Sequence, residues 1–152
     1  MLFQRVKRND PEKVFIVVKN SYDTASLTNG QAVIWDFAGD ADGVGVTMPS
    51  AIATNLGFAA AGIAAETIAA SDYGLVQVYG YHSAVRARVY TSGGNIAAGT
   101  PLTLNAAGSV FCLENYATAT TTDTPIRYPM AFALAAQTKW TTAAIACFIK
   151  AL

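Results

Sequence analysis

An all-β fold is predicted, a compact β-barrel or sandwich built from two similar units with at most one short helix. Three observations predict it. Short runs rich in β-branched and aromatic residues recur along the 152 residues. Clusters such as "DADG", "SDYG", "TSGG" and "NAAG" punctuate them. And "GQAVIWDFAG" (30–39) returns as "GTPLTLNAAG" (99–108), with its glycines in register and its alternating apolar positions kept. Regular short strands with glycine punctuation point to a barrel or sandwich and away from a parallel α/β fold. A repeated unit implies that neither copy buries its apolar face alone.

Taken in order, "KVFIVVK" (13–19) reads as the first strand. "NG" at 29–30 supplies a turn, since glycine takes positive φ without steric cost. "QAVIWDF" then alternates, with Val33, Trp35 and Phe37 on the inward face and Ala32, Ile34 and Asp36 on the other. Period two marks a half-buried strand. The stretch 50–66, "SAIATNLGFAAAGIAAE", is alanine-rich behind Pro49 and is the place for the one short helix, although Gly57 and Gly62 interrupt it. "GLVQVYGY" and "AVRARVY" follow as two further strands. "AG" at 98–99 is the second turn, after which Leu102 and Leu104 take the inward positions of Val33 and Trp35. "TATTTDTP" (118–125) reads as a projecting loop, with "FAGDADGVG" (37–45) as its counterpart, and "AAIACFIK" closes the chain as a strand.

The repeat extends beyond its ten residues. At the same spacing Leu27 falls on Ile96, and "KVFIVVK" on "HSAVRAR" (82–88). Further on, "GFAAA" (57–61) matches "AFALA" (131–135) and "GLVQVYG" (74–80) matches "AIACFIK" (144–150), so the spacing drifts between 74 and 70. The organisation implied is an N-terminal arm over 1–12 and a single β domain over 13–152, its units spanning about 13–81 and 82–152.

Hydrophobic residues make up 53% of the chain and charged residues 13%, against roughly 25% charged in an average soluble domain. A weakly polar surface suits a protein that works against other protein surfaces. Ten basic and ten acidic side chains cancel, which argues against nucleic acid or an anionic membrane as partner. The start "MLFQRVKRNDPEK" lacks the apolar core of a secretory signal, and Ala51–Ala65, broken by Asn55, falls short of a membrane span. Synthesis in the cytoplasm is therefore expected. Cys112 and Cys147 form neither a CxxC pair nor a metal spacing with histidine; they read as small buried hydrophobes, with a disulfide between them as the alternative in an oxidising compartment.

Few residues offer chemistry. His82 is the only histidine, it lies on a predicted strand between tyrosines, and no G-x-S-x-G accompanies it. Asp36, Asp40 and Asp42 before Gly43 are carboxylates of the kind calcium prefers, but their spacing is not that of an EF-hand and a solvated turn is the better reading. "GVG" (43–45) lacks the third glycine and following helix of a dinucleotide site, and Glu12, Glu66 and Glu114 sit in no telling context. Trp35, Tyr73, Tyr79, Tyr81, Tyr90, Tyr116 and Tyr128 are not regularly interleaved with basic residues, which favours core and subunit packing over stacking on bases or sugars. No enzyme, cofactor or metal site is expected.

Four stretches carry a resemblance: "LTNGQAVIWD", "LGFAAAGIAAETIAASDYGLVQVYGY", "IAAGTPLTLNAAGSV" and "MAFALAAQTKWTTAAIACFIKAL". Together they make residues 20–152 resemble the small all-β decoration, or cement, proteins of tailed bacteriophage heads. The resemblance implies a non-enzymatic virion protein on the capsid exterior, a homo-oligomer with a trimer favoured over a dimer, bound to the major capsid protein and bridging capsomers. In that setting the first residues become a capsid-binding arm. Leu2, Phe3 and Val6 would dock in apolar pockets while Arg5, Lys7 and Arg8 pair with carboxylates, in the manner of an added strand. The rival readings are a head-fibre or tail-associated protein binding a host glycan or receptor, and a small β-barrel hydrolase using His82.

Overall fold

The computed structural model describes residues 12–40, 42–49, 59–89, 95–104, 113–115, 129–138 and 142–151. Nine strands run through them in chain order: β1 (Lys13–Asn20), β2 (Ala32–Trp35), β3 (Gly45–Thr47), β4 (Ala60–Ala64), β5 (Tyr73–Arg88), β6 (Pro101–Leu104), β7 (Leu113–Asn115), β8 (Ala131–Ala133) and β9 (Ala143–Lys150). The described residues contain no helix, and the fold is all-β as the sequence predicts. The end of the alanine-rich stretch, where a short helix is expected, forms β4; the rest of it, 50–58, lies outside the described residues. Partnership overrides alanine's helix propensity there, because Ala60–Ile63 pair with β2 and Ile63–Ala64 with β5.

The strands close two rings. In the first, β1 lies parallel to β3, which continues antiparallel through β2 and β4 to the first half of β5. That half returns to β1, from Lys13↔Gly80 to Lys19↔Tyr73. In the second, the other half of β5 lies parallel to β7, which continues antiparallel through β6 and β8 to β9, and β9 returns to β5 from Tyr79↔Lys150 to Ala87↔Ala143. Closure satisfies backbone groups that an open sheet would leave exposed at its edges. The sixteen-residue β5 serves both rings, so the two strands read from "GLVQVYGY" and "AVRARVY" are one. Near its middle, between His82 and Val85, the strand carries a bulge in its pairing with β9.

Equivalent contacts in the two rings recur 69 residues apart. The isolated bridge Leu27↔Ile68 has its counterpart in Ile96↔Gln137. Gly30 donates its N–H to the Ala64 carbonyl at 2.8 Å, and Gly99 donates to Ala133 at 2.8 Å. Ala32↔Ile63 corresponds to Pro101↔Phe132. The spacing of 74 suggested by aligning "GFAAA" with "AFALA" is therefore replaced by 69 for β4 and β8: identical letters had aligned, whereas hydrogen bonding equates Ala64 with Ala133.

Two apolar clusters fill the rings. Val18, Leu27, Val33, Val46, Ala61, Ala64, Ile68, Val76 and Val78 form the first. The second contains Val85, Ala87, Leu102, Leu104, Leu113, Ile145, Cys147 and Ile149, and also takes in Ala32, Ile34 and Ile63 from the first ring. Each fully buried Leu, Ile or Val contributes roughly 1.5–3 kcal/mol. The inward assignment of Val33 holds, yet Ala32 and Ile34 are buried as well and Phe37 is exposed. β2 has no solvent face because its outer side packs against the second ring, which explains the unbroken apolar run "AVI".

Buried polar groups tie the crossovers. The Asn20 amide donates to the carbonyls of Ala25 (3.1 Å) and Ile68 (3.0 Å), and its oxygen accepts from the Tyr22 N–H (3.0 Å). The Gln77 amide donates to the Tyr79 and Tyr81 carbonyls, both at 3.1 Å, across the middle of β5. Both side chains satisfy backbone groups that a valine would leave unpaired.

Candidate functional site

Most of the surface of β1 and β5 follows the rule that apolar side chains point inward; one face does not. Along β1, Phe15, Val17 and Lys19 alternate with the inward Ile16, Val18 and Asn20. Opposite them on β5, Val17 pairs with Leu75 and Lys19 with Tyr73. Phe15 (41% exposed), Val17 (63%), Tyr73 (66%) and Leu75 (38%) thereby form an apolar stripe on the outside of the first ring. Exposed large apolar side chains grouped on one sheet face mark an interaction surface, whereas single ones need no explanation. Lys13 borders the stripe, its ammonium 6.0 Å from the centre of the Tyr81 ring in a cation–π arrangement.

The second ring shows that the architecture does not require this stripe. On its corresponding face β5 carries Ala84, Arg86 and Arg88, alternating with the buried Val85, Ala87 and Val89. β9 carries Ala144, Ala146 and Phe148 there, and the half-buried Phe148 packs edge-on against Tyr79, with ring centres 5.1 Å apart and planes at 82°. Among the described residues, only the first ring presents large, exposed apolar groups in this position.

An open cleft of about 160 Å³ lies beside the stripe, lined by Lys13, Phe15, Asn29, Gln77, His82 and Ser83 among others. His82 is buried, and its Nδ1 accepts the Ala84 N–H at 3.1 Å while the ring also bonds the Ala64 backbone. Burial first, and then the Lys13 charge, hold its pKa below the ordinary histidine value. The imidazole is neutral, and the nitrogen lone pair that a general base would use is engaged. Cys147 is a free buried thiol whose pKa burial pushes up to about 12, which leaves it protonated and unreactive. Cys112 lies outside the described residues.

The aspartates of the first-half loop brace their own turn. Asp36 Oδ1 accepts the Gly39 N–H at 2.9 Å, and Asp40 Oδ1 accepts the Asp42 N–H at 3.2 Å. These are Asx-type turns, the behaviour of a solvated loop. Among the described residues no group of three His, Cys, Asp or Glu side chains is placed to hold a metal ion. No helix of the described residues is long and apolar enough to cross a membrane.

The arm residues Leu2, Phe3, Arg5, Val6, Lys7 and Arg8 lie outside the described residues, as do the 118–125 loop, Tyr90, Tyr116 and Tyr128. Sequence reasoning did not single out the stripe. Its signal was present in "FIVV", where four consecutive apolar residues leave no polar face for a strand of this kind.

No protein-family model matches the chain, and no curated protein matches it. Among solved structures it is similar to the head fiber gp8.5 N base of bacteriophage phi29, with 15% sequence identity and a TM-score of 0.49, covering 92% of this chain and 96% of that one.

Proposed function

We propose that this chain is a structural protein of a bacteriophage virion, which binds the outer surface of the capsid as a homo-oligomer and stabilises the head by bridging capsomers. The observation that carries the reading is the exposed stripe of Phe15, Val17, Tyr73 and Leu75, a surface built for protein contact on a closed double ring. The low charge content and the motif resemblance to decoration proteins support the same reading. In it the partner is the major capsid protein, and the arm residues Leu2, Phe3, Arg5, Val6, Lys7 and Arg8 supply apolar anchors and cations for its carboxylates. Each arm binds weakly alone, and an oligomer presenting several gains through effective concentration.

Quantitative mass spectrometry of purified virions tests this. A copy number equal to that of the major capsid protein, or a simple fraction of it, is expected. A few copies per particle would replace the reading with a head-fibre or tail part, and absence from the particle would refute it. Deleting residues 1–9 is expected to abolish capsid binding with the circular dichroism of the β fold unchanged; undiminished binding would remove the arm from the mechanism.

A further inference from the structure

The contact that joins the two rings inside one chain has both of its halves displayed, unused, at the two ends of the molecule. Within the chain, the turn at Gly30 sits on the edge of β5 at Ala84–Arg86. The Arg86 N–H donates to the Gly30 carbonyl at 2.8 Å, and a Cβ added to Gly30 would stand 2.0 Å from the Ala84 carbonyl oxygen. Asn29, beside that turn, lines the cleft with Ser83. The edge of β5 is available at this point because, among the described residues, β7 pairs only with Ala87–Arg88.

The same two surfaces recur 69 residues away in each direction. Gly99 is the counterpart of Gly30, with φ of 86° against 83° and the matching bond to Ala133, yet it is exposed and an added Cβ would touch nothing within 4 Å. Phe15 and Val17 are the counterparts of Ala84 and Arg86. β3 pairs only with Lys19–Asn20, so the edge of β1 over Phe15–Val17 is open among the described residues in the way that β5 is open to Gly30. Phe15 and Val17 are also half of the exposed apolar stripe. Ile63, which carries the first ring into the joint core, is fully buried, whereas its counterpart Phe132 is only half-buried.

We infer that copies of this chain associate head to tail: the Gly99 turn of one copy docks on the Phe15–Val17 edge of β1 in the next, repeating between molecules the contact that Gly30 makes with Ala84–Arg86 within one. The Val17 N–H then donates to the Gly99 carbonyl as Arg86 does to Gly30, and Phe15 and Val17, two members of the apolar stripe, lie at the contact. Such an interface is heterologous, using two different patches, and each copy has one of each. Edge pairing supplies the directional bonds and the stripe supplies the apolar area. This specifies the self-association in the function proposed above, but it rests on the geometry alone and stands whether or not the particle is a capsid.

Complementary capping tests it on the full chain by light scattering coupled to size exclusion. Wild type is expected well above the mass of the 15.9 kDa chain, as a closed ring or an open filament. Val17→Pro removes the N–H that the open edge of β1 would donate, on the side where Lys19 bonds Val44; Ala98→Arg blocks the turn beside Gly99, and each variant alone is expected to be monomeric. Mixed one to one, they are expected to form a capped dimer of twice the monomer mass, since each retains the patch that the other lacks. A monomeric wild type, a Val17→Pro variant of wild-type mass, or a mixture that stays monomeric would overturn the proposal. Cysteine cross-linking in a Cys112→Ser, Cys147→Ala background gives a second reading if either variant misfolds. Val17→Cys is expected to cross-link to Ala98→Cys and not to itself, and self-linkage alone would mean a two-fold symmetric contact instead. Virion copy number plays no part in these measurements, so the two proposals fail separately.

Discussion

Gly30 and Gly99 occupy the same turn in the two rings with nearly the same backbone, so substituting each with alanine separates the turn's own strain from the contact between rings. Both substitutions place a Cβ at positive φ, 83° and 86°, which costs roughly 1–2 kcal/mol each. At Gly99 nothing further is lost, because the new Cβ meets no atom within 4 Å. At Gly30 the Cβ would stand 2.0 Å from the Ala84 carbonyl oxygen, where ordinary contact begins near 3.4 Å, so the turn and β5 must part by about 1.4 Å (3.4 − 2.0). Separation on that scale breaks the 2.8 Å bond from the Arg86 N–H to the Gly30 carbonyl. Leaving such buried partners unsatisfied costs about 1–3 kcal/mol. Gly30→Ala is therefore expected to destabilise by about 2 kcal/mol more than Gly99→Ala, or about 1 M in urea midpoint for a slope of about 2 kcal/mol/M. Urea unfolding followed by tryptophan fluorescence, in the Val17→Pro background so that self-association does not contribute, reads the difference. Equal midpoints with equal slopes would mean that the Gly30 turn does not bear on β5, and the shared-strand joint described here would be wrong.

Three other outcomes follow from buried groups. The His82 pKa is depressed in the folded chain relative to the ordinary value of 6.5, so below that pH the unfolded state binds the extra proton and stability is lost as pH falls. His82→Gln is expected to flatten that acid limb of stability against pH, and an unchanged limb would show that other groups carry it. Cys147 titrates oppositely: its thiol is held neutral up to about 12 against 9.0 unperturbed, so its contribution is full below pH 9 and declines above it. In a Cys112→Ser variant the remaining thiol is expected to resist Ellman's reagent at pH 8 until denaturant is added; prompt labelling of the folded chain would contradict its burial. Leu27→Ala and Ile96→Ala remove fully buried residues at equivalent bridges and are each expected to cost roughly 2–5 kcal/mol. A loss under 1 kcal/mol at either, measured by urea unfolding, would show that its bridge is not part of the core.

What could be read from the sequence was what depends on near neighbours. Alternation in "QAVIWDF", glycine at 30 and 99, and β-branched runs at 13–19 and 143–150 specified strands and turns, because pleat and positive φ are local requirements. The repetition of "GQAVIWDFAG" disclosed two units for the same reason. Long-range pairing decided the remainder. Whether "GLVQVYGY" and "AVRARVY" were two strands or one depended on β1 and β9 both pairing with β5 across its middle. In the alanine-rich run 59–64 only Gly62 weighed against a helix, and it was β2 and β5, supplying hydrogen-bonding partners on both sides, that made it a strand. The same holds for the surface. Phe15 and Val17 look like core residues in sequence, and only ring closure, which turns alternate positions of β1 outward, leaves them exposed. Burial is a property of the assembled rings, and a side chain's neighbours along the chain do not determine which side of a strand will face the core.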